Sequence, residues 1–156
     1  MKRALLILAI AVAVASMAKA QDYKTSLGLR AGLPYGITVK HFLNKTDALE
    51  GILAGRYGGF VITGLWENEH WTGKYPGLNW YWGAGANVGF WGTGENPHLE
   101  TTESGATIGA NGVLGLEYTF DDFPLNLSLD IMPTLNLFSS SVWFEVNGAL
   151  SVRYVF

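Results

Sequence analysis

Phe144–Phe156 reads FEVNGALSVRYVF. Successive side chains of an extended strand point to opposite faces, so Phe144, Val146, Gly148, Leu150, Val152, Tyr154 and Phe156 share one face, while Glu145, Asn147, Ala149, Ser151, Arg153 and Val155 share the other. The last residue is aromatic, where a soluble chain ordinarily leaves a polar tail to fray. A strand that crosses lipid needs this division: apolar side chains toward hydrocarbon, polar and small ones toward a lumen, aromatic rings where the apolar band meets water. The segment predicts a transmembrane β-strand.

The start of the chain points the same way. Met1-Lys2-Arg3 is basic, Ala4 to Val14 is apolar, and Ala18-Lys19-Ala20 has the small residues of a cleavage site, which together predict a secretory signal peptide over residues 1–20. The apolar run is too short for a membrane-spanning helix, which needs about 20 residues. The remaining stretch, 21–156, is read as a single domain. It keeps 7 basic residues against 13 acidic ones, a net charge of −6, which argues against nucleic acid as a partner. With 0 Cys there is neither a disulfide framework nor the lipid-bearing cysteine of a lipoprotein. Aromatic residues make up 13% of the sequence and Trp alone numbers 6, more than a small soluble domain ordinarily exposes, and suited to the wall of a barrel.

Period-two alternation recurs in eight segments, 23–32, 35–43, 48–57, 60–66, 78–91, 106–120, 125–138 and 144–156, and eight is the smallest usual strand count for a transmembrane barrel. Ten residues at about 3.4 Å per residue and a tilt near 40° project to about 26 Å, close to the apolar band of such barrels. The charges sort by face. In 125–138, Leu125, Leu127, Leu129, Ile131, Leu135 and Leu137 lie on one side, and Asn126, Ser128, Asp130, Thr134 and Asn136 on the other. Elsewhere Arg30, Lys40, Glu50, Arg56, Glu67, Glu117, Glu145 and Arg153 all fall opposite the apolar residues. His41 breaks the pattern, at a strand end where an imidazole reaches the headgroup region.

Alternation does not by itself say which face is inside, and a soluble lipocalin-like barrel would put its leucines within. The signal peptide, the aromatic end and the gathering of opposite charges on one face favour polar-inside. Unpaired, those charges would be prohibitive, so Arg30, Lys40, Glu50, Arg56, Glu117, Asp130, Glu145 and Arg153 are expected to form a lumen network of ion pairs and hydrogen bonds. Arg30, Lys40 and Arg153 are expected to pair with Glu117, Asp130 and Glu145, with Arg153 meeting Asp130 or Glu145.

These features resemble the small eight-stranded outer-membrane barrels related to outer membrane proteins X and A, and short exported chains known as an outer-membrane β-barrel domain. The resemblance rests on GLNWYWGAGANVGFW (77–91), GLEYTFDDFPLNLSLDIMP (115–133) and LSVRYVF (150–156). It implies an eight-stranded antiparallel up-and-down transmembrane β-barrel in the outer membrane of a diderm bacterium, in contact with lipid and lipopolysaccharide. It also implies that Leu150, Val152, Tyr154 and Phe156 form the signal read by the barrel assembly machinery. A monomer without cofactor is expected, and no reaction is implied.

With both ends periplasmic, outer loops fall near 33–34, 58–59, 92–105 and 139–143, and inner turns near 44–47, 67–77 and 121–124. The turn at 67–77 is long for its place. Chemical motifs are thin. Gly83-x-Gly85-x-x-x-Gly89 has a nucleotide-loop flavour but lies within a strand and precedes no helix, and is better read as inward glycines, with Gly109 and Gly115, that make room in the lumen. Glu67, Glu69 and His70, or Glu95, His98, Glu100 and Glu103, could ligate a cation, although loop acids are ordinarily just solvated, and no metal is expected. A lipid-A-modifying enzyme would need a nucleophile with its base; His41 has no Ser on its own strand face, which leaves a cross-strand Ser or Thr, and no enzyme is expected. A small-solute pore is disfavoured because eight strands enclose a lumen that side chains fill. The reading is a barrel serving envelope structure or surface interaction, with a ligand taken up by the outer loops in the latter case.

Overall fold

The structure is a computed structural model and describes residues 24–56, 58–92, 105–138 and 141–156. The expected signal peptide and most of the 92–105 loop lie outside the described residues. Eight strands, β1 (Thr25–Gly32), β2 (Tyr35–Phe42), β3 (Asp47–Arg56), β4 (Gly59–Trp71), β5 (Leu78–Trp91), β6 (Gly105–Thr119), β7 (Leu125–Phe138) and β8 (Ser141–Val155), form a closed barrel in which each pairs with its sequence neighbours and β1 closes on β8. All pairings are antiparallel. The expected all-β, up-and-down eight-stranded barrel is the fold observed.

Register fixes the tilt. From Ser26 the pairing runs through Lys40, Glu50, Leu65, Gly85, Asn111 and Thr134 to Glu145, whereas the partner of Ser26 on β8 is Val155, ten residues away. That stagger inclines the strands by about 40° to the axis. Hydrogen-bonded rows therefore climb toward the end opposite the chain termini, by a little over one residue per strand.

The two faces divide as the alternation requires. Leu129 is 60% exposed and its neighbour Asp130 3%. Every Lys, Arg, Asp and Glu on the described strands faces the lumen, except Asp47 at the terminal rim. The lumen is less polar than expected, because Ile52, Leu65, Tyr81, Val113 and Met132 share it as an apolar cluster.

Two boundaries differ from expectation. The expected turn at 67–77 is in part strand: β4 continues to Trp71, which leaves a shorter connection of Thr72–Gly77. Glu67 and Glu69 keep facing in while Asn68 and His70 face out, where Asn68 Nδ2 donates to Asp47 Oδ1 at 2.6 Å and His70 stacks on Trp80. The polar residues that suggested a loop line the lumen and the rim. At the other end β8 begins at Ser141, so part of the expected 139–143 loop belongs to the strand.

Hairpin heights are unequal. At the terminal end all strands finish nearly level, but β1 and β2 have 8 residues each, against 14 in β7 and 15 in β8. The chain turns back early at Gly32, whose φ of 121° is open to glycine, and at Leu33-Pro34.

Candidate functional site

The lumen holds the densest chemistry of the described residues, arranged in tiers. Lowest, near the termini, Lys40 Nζ lies 2.8 Å from Glu117, 3.0 Å from Glu69 and 3.1 Å from Glu67. It also sits 4.5 Å from the ring centroid of Tyr81. Arg153 donates through Nη2 to Glu50 at 2.6 Å and through Nη1 to Ser128 at 3.0 Å and Asn126 at 3.1 Å, with Glu117 at 3.3 Å. Thr38 donates to Glu50. Each strand from β2 to β8, save the glycine-bearing part of β5, contributes a polar group at this level, and Asn79 and Tyr81 supply β5 from either side.

One tier up, Arg30 grips Asp130 with two bonds, Nη1 to Oδ2 at 2.8 Å and Nη2 to Oδ1 at 2.5 Å. Tyr81 Oη donates to the same carboxylate at 3.0 Å. Tyr81 has room because its ring lies over Gly115, where any Cβ would strike it. Ile52, Leu65, Val113 and Met132 fill the remaining section. Highest, Arg56 holds Glu145 with bonds of 2.7 and 2.5 Å. An amide chain runs from Asn87 to Asn111 at 2.7 Å and on to Thr134 at 2.8 Å. Trp91 and Trp143 line this level together with a cavity of about 20 Å³, room for about one water molecule.

The eight expected network residues are all in ion pairs, but the partners are partly different. Arg153 meets neither Asp130 nor Glu145. It bonds Glu50 and contacts Glu117, while Arg30 takes Asp130 and Arg56 takes Glu145. The cause is height along the axis. Arg153 and Glu145 share β8 but stand about 26 Å apart at 3.3 Å per residue. Climbing rows bring Glu50 of β3 down toward Arg153 and raise Arg56 to Glu145. Charges pair across the bore with those at their own level, not with those nearest in strand order. Glu69 was missed because it was assigned to a loop; its parity with Glu67 was the available signal.

On the outer face, Leu150, Val152, Tyr154 and Phe156 point outward, Tyr154 edge-on to Phe156 at 5.2 Å. Near the same rim lie Trp66–Trp82, His70–Trp80 and Tyr118–Phe120 pairs, and at the opposite rim Phe60 stacks on Phe90. His41 does find a cross-strand hydroxyl: Thr25 Oγ1 is 2.8 Å from its Nδ1. His41 is exposed and Thr25 half-buried, and among the described residues no acid forms an ion pair with the ring. Glu67 and Glu69 turn inward to Lys40 and His70 outward, so the first candidate cation set is split; the second, Glu95, His98, Glu100 and Glu103, lies outside the described residues. No group of three potential ligands is set to hold a metal among the described residues.

No protein-family model matches the sequence, and no curated protein matches it. Among solved structures, the N-terminal β-barrel domain of Pseudomonas aeruginosa OprF matches with a TM-score of 0.67 at 17% identity, over 86% of this chain and 98% of that one. The two chains share a fold. At that identity the likeness speaks for architecture, and it covers nearly the whole of the OprF domain.

Proposed function

We propose that the chain is an integral outer-membrane β-barrel of a diderm bacterium whose lumen is closed to ion flow by its own side chains, and which serves envelope structure or surface contact. The observation that carries this reading is the inverted partition of the wall. Leucines, tryptophans and valines cover the outside, while Arg30, Lys40, Arg153, Glu50, Glu67, Glu117 and Asp130 are buried within. In water that arrangement would expose an apolar belt around the whole barrel and confine its charges; in lipid it satisfies both faces, since a base at mid-membrane on the outer face costs about 2–4 kcal/mol. Aromatic residues near both rims support two lipid–water boundaries. The shared fold with the OprF domain is in keeping with this reading.

The tiers support closure. An ion moving along the bore would have to displace Lys40 and Arg153 from five carboxylate contacts and then pass the Ile52–Leu65–Val113–Met132 level, and the 20 Å³ chamber above it is too small to hold its hydration shell. The outward face of Leu150, Val152, Tyr154 and Phe156 is proposed as the part recognised by the barrel assembly machinery. No catalytic role is proposed. Single-channel recording of the refolded protein in planar bilayers tests closure: insertion without stable open steps is expected, and reproducible open steps would overturn it. Deleting Glu95–Ser104 and measuring adhesion to host matrix separates the two roles, lost adhesion from an assembled barrel indicating surface contact.

A further inference from the structure

Among the described residues, the barrel wall has a gap on one side. β8 spans Ser141–Val155, yet β1 pairs with it from Ala149 to Val155 and no higher, apart from one further bond from Leu33 N–H to the Gly148 carbonyl. From Ser141 to Asn147, β8 is paired to β7 on one side and, among the described residues, to no strand on the other. Phe156 N–H bonds Thr25 of the β1 side, whereas Val155 N–H bonds Pro124 on the β7 side. Even-numbered residues of β8 therefore turn their backbone groups toward β1, so the N–H and C=O of Val142, Phe144 and Val146 face the gap. Their side chains point outward and are among the most exposed apolar ones, at 65%, 65% and 61%. On the lumen side the gap is bridged by Arg56 and Glu145, which reach from β3 to β8 over the top of the β1–β2 hairpin.

We propose that this edge of β8 accepts one extended polypeptide strand from a partner protein, added antiparallel above the β1–β2 hairpin. An unpaired strand edge carrying exposed apolar side chains is a template for strand addition. Lipid tails offer nothing to backbone N–H and C=O groups, and water would satisfy those groups but leave Val142, Phe144 and Val146 bare. A second copy of this chain does not fit. Two barrels upright in one membrane and related by a twofold axis along its normal would present β8 strands that cross at about 80°, given tilts near 40°, whereas paired strands differ by about 20–25°. A flexible segment has no such constraint, and its alternate side chains would continue the outward apolar row. The inference rests on the surface-contact half of the proposed function and is independent of lumen closure.

The test uses the full barrel refolded in micelles, a capped seven-residue peptide of alternating Thr and Val, and the same peptide N-methylated at alternate residues. Amide hydrogen exchange is read residue by residue. In the free barrel Val142, Phe144 and Val146 should exchange at least about 100-fold faster than Trp143, Glu145 and Asn147, and the plain peptide should slow these three at least about tenfold while the N-methylated one does not. Even-numbered amides as slow as their odd-numbered neighbours before peptide is added would mean the edge is already covered, and would overturn the proposal. So would no protection at millimolar peptide. As a second readout, Val146→Cys should capture a Cys-tagged peptide in a glutathione buffer at least about tenfold faster than Ile108→Cys. Ile108 is 62% exposed but paired on both sides, to Val88 and Leu137. Equal capture would reduce the effect to apolar adsorption and sink the edge site. A barrel that inserts and stays silent in bilayers while failing these tests refutes the strand site and leaves the membrane reading standing.

Discussion

Removing Arg30 and removing Asp130 should not cost the same. The pair is bidentate, with side-chain exposures of 1% and 0%, so breaking it leaves a buried charge, a loss of about 3–5 kcal/mol. Asp130→Leu leaves the guanidinium a long bond of 3.4 Å to Ser151 Oγ, and should fall at the upper end of that range. Arg30→Met leaves the carboxylate still accepting from Tyr81 Oη at 3.0 Å, and should fall at the lower end. With both replaced, no charge is left unpaired at this level, so the double variant should be more stable than either single one, which requires a coupling larger than the bigger single loss, about 5 kcal/mol. Urea unfolding in micelles, followed by tryptophan fluorescence, measures the cycle. Arg153 and Glu145 provide the control: at about 26 Å of separation along one strand, their substitutions should add to within about 0.5 kcal/mol. Additivity for Arg30 and Asp130, or coupling for Arg153 and Glu145, would refute pairing by axial level.

Leu129→Arg should prevent most folding into vesicles, because its side chain meets hydrocarbon at a cost of about 2–4 kcal/mol, whereas Ser128→Arg faces the lumen and should fold in better yield; equal yields would reverse the facing. Gly85→Ala should destabilise by more than about 1 kcal/mol, since its Cβ would fall on the Gly64 carbonyl oxygen, while Gly64→Ala, with open space outside, should be neutral or gain up to about 1 kcal/mol in urea titration. Phe156→Ala should slow assembly in cells but leave refolding into detergent unchanged; equal loss in both assays would assign the ring to intrinsic stability instead.

Strand identity and the division of each strand into two faces were legible because they depend on parity, and the charges gathered on one face indicated which of the two lies inside. Leu125 to Phe138 needs no more than alternation to declare its two sides, and Asp130 could be placed inside from its neighbours. Parity would also have placed Ile52, Leu65, Val113 and Met132 in the lumen, since they alternate with the outward residues on their strands. Pairing was not legible, because it depends on the stagger between strands, and no residue type reports a ten-residue shift around a barrel. That is why Arg153 is expected from sequence to meet Asp130 or Glu145, and meets neither. Glu67 to Trp71 was misread for a different reason: polar residues signal a loop only where the alternative is a dry core, and here both the bore and the rim take polar groups. The unequal strand lengths were partly visible, but the bare edge of β8 was not, since it follows from where β1 stops alongside its partner.

In the proposed membrane setting, the unequal hairpins would also shape the surrounding bilayer. At about 2.5 Å of axial rise per residue, the 8 residues of β2 present an outer face about 20 Å tall and the 15 of β6, across the barrel from it, one of about 38 Å. Hydrocarbon is about 30 Å thick on average, so one flank is shorter than the lipid it touches and the opposite flank is longer. An upright barrel would stretch and pinch the same membrane within one circumference. Leaning and local thinning beside β1 and β2 relieve both strains at a cost of fractions of a kcal/mol per Å of mismatch. The molecule is in effect a wedge, and acyl chains beside Leu29 and Ile37 should be shorter and less ordered than those beside Ile108 on the far flank.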